Sequence, residues 1–173
     1  ACAKAIVEGK APVNACAGCS EGNLAVISSV MGVEAEASEK KVAYVKCSGD
    51  CDKAKTNYVY TGIEDCKIAA QMQGGGPKAC SYGCLGYGSC KKACPYNAIT
   101  IVNGLPVVDE AKCVGCGSCV VTCPKQLMAL RPVRKRTVAL ACNSPEKGKP
   151  VMDVCSAGCI GCTLCTKECP FGA

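Results

Sequence analysis

Apolar residues fall along this chain in short runs separated by glycine, proline and charge. Four runs have the length of a strand: Val42-Ala43-Tyr44-Val45, Ile99-Thr100-Ile101-Val102, Leu105-Pro106-Val107-Val108 and Leu127-Met128-Ala129-Leu130. Asn103-Gly104 between the second and third predicts a hairpin turn, because both residues tolerate the positive φ that such turns demand. Pro106 suggests an edge position, since it donates nothing to a ladder. Ala1 to Lys10 reads as the end of a helix, and Asn23 is the expected cap of a short helix through Val26, Ile27, Val30 and Met31. Val33 to Lys41, with Glu34, Glu36, Glu39, Lys40 and Lys41, reads as a charged linker. Gly74-Gly75-Gly76-Pro77 has no following G-K-[ST], and Gly86 and Gly88 lack a third glycine. Neither a phosphate loop nor a dinucleotide fingerprint is present.

The polar punctuation is dominated by cysteine. Cys113, Cys116, Cys119 and Cys123 stand at C-x2-C-x2-C-x3-C-P, the bacterial ferredoxin run in which three thiolates hold one cubane and the fourth reaches a neighbouring cluster. Gly115 and Gly117 allow the tight turn that converges three sulfurs, and Pro124 fits a first helical turn. Cys84 to Pro95 overlays this run residue for residue, except that Tyr87 stands where Cys116 stands. The order of loop, helix, strand pair, loop, helix and strand is the two-cluster plan. It has Cys94 crossing to the Cys113 cluster and Cys123 crossing to the Cys84–Cys90 cluster. A third copy, Cys159, Cys162, Cys165 and Cys169 before Pro170, closes the chain. The repeat runs wider, with Val45-Lys46-Cys47 matching Leu140-Ala141-Cys142 and Cys80-x3-Cys84 matching Cys155-x3-Cys159. Cys142 and Cys155 are either relics of that copying or ligands. Cys47, Cys51 and Cys66 with Cys80 would complete a further cubane. Cys80 is also the nearest substitute for the ligand missing at Tyr87. With Cys80 in the first set, the Cys84–Cys90–Cys123 site keeps three thiolates and is expected to hold a [3Fe–4S] centre.

Composition narrows the classes. There are 20 cysteines and no histidine in 173 residues, while Leu, Ile, Val and Phe supply only about a fifth of the chain. Such a sequence cannot rest on an apolar core alone, so metal is expected to supply much of its folding energy. Zinc is a poor competitor, since it favours paired knuckles or histidines, and thiolate ligands argue for a reducing compartment. The formal charge of +6 counts every cysteine as neutral. A cubane with four thiolates carries about −2, so several would reverse the sign. A nucleic-acid partner is not expected, for want of a basic stripe interleaved with aromatics. Arg131-Pro132-Val133-Arg134-Lys135-Arg136 reads as a solvated face or as a docking patch for an acidic carrier. No apolar run of 18 residues or secretory signal appears, and no nucleophile–base pair stands out, so no catalytic residue is assigned.

The fold class expected is α+β: tandem two-cluster ferredoxin-like repeats with small iron–sulfur segments, stabilised by several [4Fe–4S] clusters. The boundaries read as 1–38, the tail of an N-terminal iron–sulfur domain with linker; 39–83, an intermediate cysteine segment; 84–132, a two-cluster ferredoxin-like domain; and 133–173, the start of another.

With A-I-V-E-G-K-A-P-V-N-A before Cys16, then K-C-S-G-D-C-D-K-A-K, G-I-E-D-C and C-S-Y-G-C-L-G-Y-G-S-C, the chain resembles a family. It is the RnfB iron–sulfur family of ion-translocating ferredoxin:NAD oxidoreductase (Rnf) complexes. The resemblance implies an electron-transfer subunit, part of an oxidoreductase. It would take electrons from reduced ferredoxin and relay them to other Rnf subunits at the cytoplasmic face of the cell membrane. It also implies Cys16 as a cluster ligand, leaves Cys2 and Cys19 unassigned, and implies a membrane anchor and ligands before Ala1 and a further ferredoxin motif after Ala173. The alternatives are a soluble polyferredoxin carrier and the electron-input subunit of another iron–sulfur reductase.

Overall fold

A computed structural model describes residues 2–15, 21–33, 39–133 and 139–170. Two short helices come first, α1 (Cys2–Val7) and α2 (Glu21–Met31). α2 starts two residues ahead of Asn23, which therefore lies inside the first turn rather than capping it. Ser28 is accommodated within the helix by donating its hydroxyl back to the Leu24 carbonyl at 2.8 Å. The charged linker falls largely on residues 34–38, outside the described ones.

Four strands form two antiparallel pairs: β1 (Lys41–Val45) with β4 (Met128–Pro132), and β2 (Ile99–Val102) with β3 (Leu105–Val108). The β2–β3 hairpin turns at Asn103 and Gly104, with φ of 46° and 73°, as expected of Asn-Gly. Pro106 faces Ile101 in a two-stranded sheet, where every strand is an edge. The β1–β4 pair is of a different kind. It runs from Lys41↔Pro132 to Val45↔Met128, so the strand ahead of Cys47 is built into the same unit as the 84–132 ligand loops. β4 begins and ends slightly later than the apolar run that predicts it.

Short helices α3 (Cys66–Ala69), α4 (Ser89–Lys92), α5 (Ser118–Thr122), α6 (Lys149–Val154) and α7 (Leu164–Lys167) complete the mixed architecture. The core between the sheets gathers Val42, Ala43, Ala98, Ile99 and Met128 around Cys90, Cys113 and Cys119. Three large side chains are under 2% exposed, Leu127, Val42 and Val151. Thiols thus occupy a large share of the interior.

The segment between β1 and α4 is fastened at several points. Cys51 N–H donates to the Asn103 carbonyl at 3.1 Å, and Asn103 Nδ2 to Asp52 Oδ2 at 2.7 Å. The buried Lys78 donates its ammonium to the Gly49 carbonyl at 2.8 Å. The segment after β4 returns to it, with Lys55 N–H to the Val154 carbonyl and Ser156 N–H to the Lys53 carbonyl, both 2.9 Å. No helix among the described residues is long and apolar enough to cross a membrane.

Candidate metal centres

The three ligand loops share one backbone. Gly86, Gly115 and Gly161 hold φ of 84°, 68° and 67°; two residues on, Gly88, Gly117 and Thr163 hold 73°, 80° and 61°. Each second position caps a short helix that carries the thiol at the third ligand position of its loop: Cys90 on α4, Cys119 on α5 and Cys165 on α7. Two left-handed residues around the middle position curl the chain so that its side chains converge.

Convergence produces recesses with four cysteines each. One is lined by Cys94, Cys113, Cys116 and Cys119, with Gly115, Gly117 and Ala43. A second is lined by Cys66, Cys84, Cys90 and Cys123, with Leu127 and Met128. Cys94 and Cys123 each leave their own loop for the neighbouring recess. Backbone amides point at the sulfurs: Ala43 to Cys113 at 3.3 Å, Ala98 to Cys94 and Leu127 to Cys123 at 3.4 Å. Such bonds stabilise negative charge on sulfur and raise the potential of a bound cluster.

Cys66 is the departure from the expected grouping. The Asp65 carboxylate caps α3 by accepting from the Lys67 and Ile68 amides, and Ser89 Oγ donates to its other oxygen at 3.0 Å. The same Ser89 oxygen accepts from Cys66 N–H at 2.8 Å. This bridge draws Cys66 to α4, where it supplies the thiol that Tyr87 does not. Tyr87 turns instead to Tyr60, with ring centroids 5.3 Å apart. The second recess is therefore lined by four thiols, where the sequence pattern leads one to expect three.

Cys47 and Cys80 stand together, but neither with Cys51 nor with Cys66. Their recess is completed by Cys142 and Cys155, which the sequence leaves without partners. The signal was present in the repeat, since Cys142 and Cys155 are the copies of Cys47 and Cys80. Cys51 lies outside all three recesses, exposed beside the β2–β3 turn. Its sulfur would meet a Cβ at Gly104 at 2.6 Å. Cys159 and Cys169 are half-buried and Cys162 and Cys165 exposed. Cys16, Cys19 and the Cys2 side chain fall outside the described residues. So do Arg134, Lys135 and Arg136. Arg131 itself is paired with Glu110 at 2.9 Å and lies 5.7 Å from the centre of the Tyr44 ring.

Burial pushes the Cys84 thiol up to about 12, and those of Cys90 and Cys119 up to about 11. Neighbouring thiolates add to the rise at each. Without a cation these sites stay protonated; a metal reverses that, because a coordinating thiol loses its proton. Cys116, exposed, is held below its usual value by the hydroxyl and amide of Ser118. Among the described residues no three His, Cys, Asp or Glu are placed to hold a single metal ion. The thiols instead surround a space, an arrangement that fits a cubane bonded at its four corners.

Residues 112–173 match the family model of the 4Fe-4S dicluster domain, a span that takes in the second and third ligand loops. The chain is 51% identical over 145 residues to the B component of the proton-translocating ferredoxin:NAD(+) oxidoreductase complex of Clostridium ljungdahlii, covering 82% of this chain and 50% of that protein. It is 44% identical over 177 residues to the B component of the ion-translocating oxidoreductase complex of Methanosarcina acetivorans, covering 100% and 65%. The B component of the Na(+)-translocating ferredoxin:NAD(+) oxidoreductase complex of Acetobacterium woodii is 44% identical over 155 residues, covering 89% and 46%. The chain thus spans between about half and two thirds of the length of these relatives.

Proposed function

The chain is a homologue of the B components of ion-translocating oxidoreductase complexes, two of them ferredoxin:NAD(+) oxidoreductases, and from that premise we propose that it relays single electrons from reduced ferredoxin toward the other subunits of such a complex. The relay operates at the cytoplasmic face of the membrane, held there by parts of the assembly beyond this chain. The observation that carries this reading is the pair of crossed four-thiol recesses, Cys94–Cys113–Cys116–Cys119 and Cys66–Cys84–Cys90–Cys123. [4Fe–4S] clusters in them supply reversible one-electron chemistry. The protein's own part is to hold the thiolates in place, aim amides at sulfur and exclude water. Ala43, Leu127 and Met128, each under 4% exposed, shut solvent out on the inner side of the two recesses. Because Cys94 and Cys123 cross, ligands of the two sites stand only four residues apart along the chain, at Cys90 and Cys94 and at Cys119 and Cys123, which favours fast exchange between them.

The test is stopped-flow oxidation of reduced ferredoxin by the full-length protein, with no nicotinamide present. Electron uptake is expected, and its rate falls with added salt if the basic 131–136 run docks an acidic carrier. A salt-independent rate returns that run to an ordinary solvated face. Absence of uptake, or micromolar binding of NADH by the isolated protein, contradicts the relay reading.

A further inference from the structure

We propose that Cys47, Cys80, Cys142 and Cys155 form a third [4Fe–4S] site, built from two halves of the chain that meet only in the folded protein. This rests on the reading of the chain as a cluster carrier but adds a centre outside the ferredoxin loops. The four thiols line one recess, and every other residue around it is small or uncharged: Gly49, Gly83 and Gly158 among them, with Ala54, Ala157 and the buried Val151.

The glycines are a cradle. A Cβ at Gly49 would lie 3.1 Å from Cys155 Sγ and 3.8 Å from Cys47 Sγ; one at Gly83 would lie 3.5 Å from Cys80 Sγ. At Gly158 it would strike Val151. Bare backbone at three points lets a bulky inorganic group approach closely, as it does where Gly115 and Gly117 line the Cys113 recess.

The halves are joined by backbone as well as by facing thiols. Ala54 and Cys155 form an antiparallel bridge, and the Lys55–Val154 and Ser156–Lys53 bonds flank it. Cys155 therefore sits at a fixed register against the Cys47 loop. Cys47 and Cys142, and Cys80 and Cys155, are equivalent positions in the repeat. Each copy of the repeat thus contributes one matched pair to the recess.

Its place gives it a purpose. Cys84 N–H donates to Cys47 Sγ at 3.4 Å, so a thiol of the second recess is hydrogen-bonded through its own backbone to a thiol of the third. The backbone of Cys84 thus joins the second recess to the third.

The experiment uses the full-length protein purified without oxygen, comparing wild type, Cys51→Ser and the double variant Cys142→Ser/Cys155→Ser. Iron, zinc and acid-labile sulfide are counted per chain. The double variant is expected to lose about four iron and four sulfide with zinc unchanged, while Cys51→Ser loses none. Iron equal to wild type, or loss of zinc instead, overturns the proposal. Should the double variant fail to fold, Cys142→Ser alone decides, since three thiolates and a hydroxyl can still hold a cluster. Its Mössbauer spectrum is expected to show one altered or missing iron site, and a spectrum identical to wild type overturns the proposal. A wild-type chain with no iron at all sinks the relay reading too, whereas iron untouched by these variants sinks only the third site.

Discussion

Gly115 and Gly74 hold nearly the same backbone, φ of 68° and 70°, yet a side chain would meet different surroundings at each. At Gly74 a Cβ finds nothing within 4 Å, whereas at Gly115 it runs into the Lys41 carbonyl at the start of β1. Gly74→Ala should cost only the left-handed strain, about 1 kcal/mol. Gly115→Ala adds a backbone clash and should cost about 3 kcal/mol, with loss of the Cys113 cluster. Urea titration of both holo-variants, with visible absorption followed alongside, separates the two; equal costs would mean that β1 does not press on the ligand loop. Residues of this kind were legible in the sequence, because loop glycines at cluster spacing announce their role. Cys66 was not. Its partner is chosen by the Asp65–Ser89 bridge across two helices, and spacing along the chain carries no trace of that contact.

α3 is a single turn of four residues, and its start depends on one carboxylate. The amides of Lys67 and Ile68 and the Ser89 hydroxyl hold Asp65 below its ordinary value. A carboxylate with a depressed folded pKa stabilises above its unfolded value near 3.8, and that stabilisation is lost as pH falls through the folded pKa. Asp65→Asn should therefore release iron faster than wild type at pH 7, the gap closing below about pH 4. Stopped-flow acid jumps measure it, and a gap that persists at low pH would remove Asp65 from the account. Among the strands, the β2–β3 hairpin was legible because Asn103-Gly104 encodes its turn locally. The β1–β4 pair was not, since nothing in Val42–Val45 names a partner so distant. Leu127 immediately ahead of β4 is 1% exposed and lines the second recess. Leu127→Ala should cost about 3 kcal/mol and lower the thermal midpoint of the holo-protein, and a loss below about 1 kcal/mol would show that the cluster rather than packing holds this wall.

At the scale of the molecule, the interior is shared between a few apolar side chains and many thiols. Removing iron by chelation under reducing conditions should therefore abolish cooperative unfolding and leave buried thiols open to alkylation. An apo chain with a native circular dichroism spectrum and a sharp melting transition would contradict that. Repetition of the ligand loops was visible along the sequence, but the meeting of Cys47 and Cys80 with Cys142 and Cys155 depends on the fold returning upon itself. The same return sets a timetable during synthesis. β1 leaves the ribosome about eighty residues before β4, which at about 5–20 residues per second is a wait of about 4 to 16 s. The Cys47 loop waits longer still, until Cys155 has emerged. For that interval the nascent chain presents reduced thiols with no partners and a strand with an unpaired edge. The ferredoxin-like sites can be filled first and the recess around Cys47 last, so cofactor delivery must follow translation in the order in which the chain closes.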